Sequence, residues 1–149
     1  MISNDAWPGS LAPRSLPPAL LNPVFVVGAP RSGTTWVQRL LTAHPRIVGG
    51  TESHLFNALS LLIPGNEDRR DDRRLVGLRC YFTEARRIEI MTALWLEAMT
   101  PLVAEKPGAT VLVEKTPDHA HHMKRILRVL PAARFVHVVR DSRAVIVSA

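Results

Sequence analysis

The feature that most constrains the fold is one unit near the amino end. The apolar run Val24-Phe25-Val26-Val27 leads into Gly28-Ala29-Pro30-Arg31-Ser32-Gly33, and after Thr34-Thr35 the residues Trp36, Val37, Leu40 and Leu41 recur at helical spacing. A short β-former run that stops at glycine predicts a strand buried on both faces, and helical spacing up to His44-Pro45 predicts the helix behind it. Strand, glycine loop and helix in this order aim free backbone amides and a helix N-terminus at an anion, which is the logic of a phosphate-binding loop. A Walker loop carries lysine after its second glycine. Here that place holds Thr34 and the cation stands earlier, at Arg31, which disfavours nucleoside triphosphate chemistry.

The rest of the chain repeats the alternation. Residues 1–23 hold five of the twelve prolines and only two charges, Asp5 and Arg14, and read as a lead-in arm, with residues 24–149 as one domain. Ile47-Val48 is a candidate strand, Leu55 to Ile63 a candidate helix, and the paired acids and arginines from Glu67 to Arg74 a solvated helix face. Thr83 is placed to cap a helix carrying Ile88, Met91, Trp95 and Ala98, bounded beyond by Pro101 and Pro107-Gly108. Trp36 and Trp95 are expected in the core. Val111-Leu112-Val113 predicts a second buried strand, with Thr116-Pro117 as N-cap and first helical residue before Met123, Ile126, Leu127 and Leu130. Phe135 to Val139 predicts a third, holding His137 as a hydrogen-bonded core histidine, and Arg140-Asp141-Ser142-Arg143 opens a helix in which the sequence stops at Ala149. Strands alternating with helices predict a three-layer α/β sandwich with a mainly parallel sheet, whose ligands lie beyond the carboxyl ends of the strands.

Charge and composition narrow the chemistry. Nineteen Lys and Arg against thirteen Asp and Glu give a formal charge of +6, which suits an anionic ligand. The chain has no apolar stretch of the ~18 residues that a membrane span needs and no basic segment followed by an apolar one at its start, so it reads as soluble and cytoplasmic. One cysteine, Cys80, excludes an internal disulfide, and no Cys/His spacing builds a closed zinc site. His119, His121 and His122 do not have the ligand pattern of a metal site, and none is expected.

Pro30-Arg31-Ser32-Gly33-Thr34-Thr35-Trp36 resembles the donor loop of the sulfotransferases that use 3′-phosphoadenosine 5′-phosphosulfate. The resemblance covers roughly residues 23–149. It implies the amino-terminal part of one domain of P-loop-like sulfotransferase fold, incomplete at its carboxyl end, with Arg31, Ser32, Gly33, Thr34 and Thr35 on the 5′-phosphosulfate. Arginine at 31, where small-molecule cytosolic members have lysine, looks more like the tyrosylprotein sulfotransferases and related carbohydrate and bacterial enzymes. Trp36 is closer to the cytosolic pattern.

Three further residue groups fall at predicted strand ends. Glu52, in the loop Gly49-Gly50-Thr51-Glu52-Ser53, is on its own residues either a loop acid or a general base, since a carboxylate near cations can take the proton of an attacking hydroxyl. Its place after Ala43-His44-Pro45 resembles that of the catalytic glutamate of tyrosylprotein sulfotransferases, although Thr51 stands where an acid usually precedes it. Lys115, one of three lysines, is either a surface residue or a point charge for a leaving oxygen, and the Lys-x-Pro turn resembles the family's catalytic-lysine segment; Glu114 reads as its salt-bridge or capping neighbour. Arg140 and Ser148 are spaced to share one helix face and hold a phosphate, and the resemblance makes that the donor's 3′-phosphate.

The implied reaction is transfer of a sulfuryl group from 3′-phosphoadenosine 5′-phosphosulfate to an acceptor hydroxyl, on a small molecule, carbohydrate or tyrosyl group, releasing 3′-phosphoadenosine 5′-phosphate without a metal. The alternatives are a P-loop kinase-like nucleotide-binding protein, which Thr34 disfavours, and a truncated inactive fragment that at most binds the donor nucleotide. A nucleic-acid-binding module would use the arginines near the carboxyl end, but the net charge is modest and few aromatics interleave with them, so no nucleic acid partner is expected.

Overall fold

A computed structural model describes residues 16–58 and 81–148. The charged run Glu67 to Arg74, Cys80 and the second part of the Leu55 to Ile63 segment lie outside the described residues. In chain order the elements are α1 (Pro18–Leu21), β1 (Val24–Gly28), α2 (Thr34–Thr42), β2 (Ile47–Gly49), α3 (Leu55–Ala58), α4 (Glu84–Ala104), β3 (Val111–Lys115), a 3-10 turn (Pro117–His122), α5 (Met123–Val129), β4 (Arg134–Val138) and α6 (Ser142–Val147). The strands form one parallel sheet in the order β2-β3-β1-β4, so β1 is internal as its unbroken apolar run predicts.

Strand alternation sorts the two faces. Phe25, Val27, Val48 and Leu112 point to one side and pack with Ala19 and Leu20 of α1, Met91, Trp95 and Met99 of α4, and Ile126 and Val129 of α5. Phe25 is the hub, with ring centroids of Trp95 at 5.5 Å, Phe135 at 5.6 Å, and Phe56 and His119 at 5.9 Å. Helix α2 packs against β1, β2 and β3, which completes helix, sheet and helix layers. Gln38 Nε2 donates to Gly50 O at 2.6 Å, and Lys106 Nζ donates to the carbonyls of Thr42, His44 and Ile47 at 2.8–2.9 Å, fastening the end of α2 to the start of β2.

Five expectations are corrected. Trp95 is fully buried, but Trp36 is 66% exposed, because α2 turns Thr34 and Gln38 inward instead of its apolar side. Among the described residues β4 is an edge strand, so Val136 and His137 are exposed and His137 is no core histidine. Pro101 lies inside α4: its ring is on the exposed side, and buried Met99 and Val103 hold the last turn to the core. The proline-rich stretch at the amino end contributes a helical turn, α1, whose Ala19 and Leu20 are fully buried. Thr83 caps α4 as expected, accepting from Arg86 N at 3.2 Å, whereas the Thr116 hydroxyl does not cap the turn after β3.

Candidate functional site

The loop after β1 is shaped by two constraints. At Gly28 a Cβ would meet Val138 O at 2.5 Å, so only glycine lets β1 and β4 approach there. Gly33 is the N-cap of α2 at φ +101°, a left-handed conformation that favours glycine, and no side chain caps the helix. The first amides of α2 therefore have no intrahelical partner and present a positive helix end. Arg31 also has positive φ, +67°, a strained geometry for a residue with a side chain, and the buried Ser32 Oγ has no hydrogen-bond partner.

This loop borders a cavity of about 660 Å³, and Arg140 and Ser148 border it too. Arg31 Nε donates to Ser148 O at 2.6 Å, and Arg140 Nη1 donates to Arg31 O at 3.2 Å. The two sequence segments predicted to bind phosphate are thus laced together across β1 and β4. Asp141 caps α6 by accepting from Arg143 N at 2.9 Å, which orients the helix that brings Ser148 to the cavity. The Ser148 hydroxyl itself is turned to Val145 O at 2.9 Å.

Glu52 borders the same cavity and also a second one of about 470 Å³. Lys115 borders only the second; its side chain is 7% exposed and its ammonium is hydrogen-bonded to Glu52 Oε1. His54 Nε2 lies 3.2 Å from Glu52 Oε2, and His54 is the second non-glycine residue with positive φ, +48°. The carboxylate is thereby held on both oxygens.

Behind it lies a network that the sequence did not reveal. Glu114 points to the opposite side of β3 from Lys115, is almost fully buried, and accepts from Ser53 N (3.2 Å), Ser53 Oγ (2.8 Å), Thr116 Oγ1 (2.6 Å) and His119 Nδ1 (2.9 Å). His119 Nε2 accepts from Phe56 N at 3.3 Å, which assigns the proton to Nδ1. Burial alone would push the Glu114 pKa up, but the hydrogen bonds from His119, Thr116 and Ser53 outweigh it and hold the carboxyl below its ordinary value. Glu114 is therefore the anchor of the loop bearing Glu52, not a salt-bridge neighbour of Lys115. Of the other histidines in this turn, His121 is exposed, while His122 Nδ1 lies 2.8 Å from Arg125 Nη1, and burial with that cation lowers its pKa.

A sequence profile described as the sulfotransferase family matches residues 23–149. The chain belongs to the sulfotransferase family. This sulfotransferase-family chain is 30% identical over 124 residues to protein-tyrosine sulfotransferase 1 of Danio rerio, covering 81% of this chain and 33% of that protein. It is 31% identical over 121 residues to protein-tyrosine sulfotransferase 1 of Homo sapiens, covering 81% and 32%. A crystal structure of a sulfotransferase from Mycobacterium avium superposes with a TM-score of 0.46 at 15% identity, covering 82% of this chain and 43% of the other. The chain spans about a third of the length of the curated tyrosine sulfotransferases it matches.

Most of the site residues expected from the sequence of this sulfotransferase-family chain border the two cavities. Arg31, Gly33, Thr34, Thr35, Glu52, Arg140 and Ser148 line the larger, Lys115 lines the smaller, and Ser32 is buried under the loop. Sequence reasoning missed His54, Arg39 and the pair Glu114 with His119. The available signal for the last was a carboxylate directly after an apolar strand run, which needs buried donors if the strand stays buried to its end.

Proposed function

We propose that this protein transfers a sulfuryl group from 3′-phosphoadenosine 5′-phosphosulfate to an acceptor hydroxyl, releasing 3′-phosphoadenosine 5′-phosphate. The observation that carries this reading is the meeting of the Arg31 loop and the Arg140–Ser148 segment around one cavity, with Glu52 on its border. The residues fit a ligand with two separate anionic groups: an uncapped helix N-terminus and an unpartnered Ser32 Oγ lie at one place, and a guanidinium and a hydroxyl at another. The loop residues Arg31, Ser32, Gly33, Thr34 and Thr35 would hold the phosphosulfate, and Arg140 with Ser148 the 3′-phosphate. Bound there, the donor supplies a sulfuryl group activated by its phosphate leaving group.

The chain's own residues do the rest. Glu52 accepts the proton of the acceptor hydroxyl as its oxygen attacks. Lys115 has three ammonium donors, of which Glu52 engages one, so it can hold the carboxylate and still offer positive charge beside it. Arg31 offers its charge from the loop, at a backbone position with positive φ. By their name the relatives act on protein tyrosine, which supports a hydroxyl as acceptor.

The test is thermal unfolding of the chain with 3′-phosphoadenosine 5′-phosphate, ADP or magnesium ATP, alongside Arg140→Ala. At a hundredfold excess over its dissociation constant a ligand adds about 2.7 kcal/mol, a midpoint shift of several degrees at this size. The expected result is a larger shift with the 3′-phosphorylated nucleotide, lost in Arg140→Ala. Equal shifts with all three, or none in a cooperatively folded chain, would overturn the donor assignment.

A further inference from the structure

The smaller cavity is lined by residues of polar type. Every side chain bordering it is a hydroxyl, an amide or a charge, and the only other lining is the pair Gly49-Gly50; no aromatic or aliphatic side chain contributes. Each of these side chains brings a hydrogen-bonding group, and their methyls and methylene stems supply the apolar surface between, a lining that suits a ligand with several hydroxyls on a saturated ring. Arg39 stands where this cavity joins the larger one, bordering both with Thr35 and Glu52. Thr35 and Arg39 are four residues apart on α2 and share a face. The other cations here are engaged: Lys115 and His54 hold the two oxygens of Glu52, Arg31 donates to Ser148 O, and Arg140 donates to Arg31 O. Among the described residues the Arg39 guanidinium has neither an ion pair nor a hydrogen bond.

A planar guanidinium beside a polar cavity is suited to bidentate capture of an oxyanion. Two cations against one carboxylate leave the smaller cavity net positive, and Glu52 is the group in it that can take a proton from a hydroxyl. We propose that the smaller cavity is the acceptor site and that Arg39 makes it selective for a polyhydroxylated compound carrying an oxyanion, the chemistry of an acidic sugar. The inference rests on the sulfuryl-transfer reading for the role of Glu52, but the binding preference can be measured independently of it.

The experiment titrates glucuronate, glucose, glucose 6-sulfate and 4-hydroxyphenylacetate into the isotope-labelled 149-residue chain, with and without saturating 3′-phosphoadenosine 5′-phosphate, following the amide signals of Gly49, Gly50 and Thr51. Glucuronate or glucose 6-sulfate should bind roughly tenfold tighter than glucose, the effect of one charge-assisted pair at a partly exposed site, and whichever binds tighter identifies the oxyanion. Arg39→Gln should erase that preference, Arg39→Lys should restore part of it, and Arg39→Gln should lower 3′-phosphoadenosine 5′-phosphate affinity by less than Arg140→Ala does. No preference for the charged sugars, 4-hydroxyphenylacetate binding as tightly as they do, or Arg39→Gln weakening the nucleotide as Arg140→Ala does, would each overturn the proposal. Failure of the nucleotide to bind while the sugar preference persists would sink the donor assignment and leave this site standing.

Discussion

Replacing Glu114 by alanine removes one buried acceptor from four donors at once. Thr116 and His119 have no exposed surface, so their donors cannot turn to water, while Ser53 is only partly buried. Each stranded buried donor costs roughly 1–3 kcal/mol, and breaking a buried pair from one side about 3–5 kcal/mol, so the loss should be about 3–5 kcal/mol. At about 2–4 °C per kcal/mol for a chain of this length, the unfolding midpoint should fall by about 6–20 °C. Glu114→Gln is the sharper probe: it keeps volume and one acceptor oxygen but turns an amide NH₂ toward a donor, at about 2 kcal/mol. The sign with pH follows from the lowered pKa. Because burial is outweighed by the hydrogen bonds, the folded carboxyl titrates below the ordinary 4.5, so its stabilisation is complete above that value and fades as pH falls through the lower folded one. In urea unfolding the gap between the native chain and Glu114→Gln should be widest near neutral pH and should close in acid. A gap under about 0.5 kcal/mol at neutral pH, or one that stays constant into acid, would refute the assignment of Glu114 as a charged anchor.

Two substitutions test the packing. Gly28→Ala places a Cβ 2.5 Å from Val138 O, which forces β1 and β4 apart; we expect a loss of about 2–3 kcal/mol in denaturant unfolding, and a change under about 0.5 kcal/mol would show that the strands approach differently. Trp36→Ala should change stability by less than about 0.5 kcal/mol and Trp95→Ala should cost about 3–5 kcal/mol, since one ring is 66% exposed and the other fully buried; equal losses would mean that α2 presents its other face to the sheet.

The order of elements was legible because the apolar β-former runs at Val24, Val111 and Phe135 are short and bounded by glycine, proline and charge, and because the sheet is parallel, which puts each following loop at one edge. That common edge also puts the strand ends that carry Arg31, Lys115 and Arg140 on one side of the sheet. Which side of α2 is buried was not legible: helical periodicity identifies an apolar stripe, but Gln38 reaches Gly50 O and takes the inward position for a hydrogen-bonding reason. His137 was misplaced because a β-former run looks alike in a central and an edge strand. The Glu114–His119 bond was invisible for a geometric reason, since a contact five residues apart from a strand into a 3-10 turn has no periodicity to announce it.

The strand at the middle of the sheet has both its partners far downstream: Val24 sits beside Val113 on one side and Arg134 on the other. A parallel pair cannot close until its crossover has been made, and non-local pairing of this kind is slow. At roughly 5–20 residues per second of synthesis, the run Val24–Val27 waits about 5–20 s after leaving the peptidyl-transferase step before either neighbour exists. During that interval it is an apolar segment with two open edges, the form in which nascent chains associate with one another. The strand that carries the phosphate loop is thus also the one a cell must shelter longest, and soluble yield should depend on how fast the chain is made and on what holds it meanwhile.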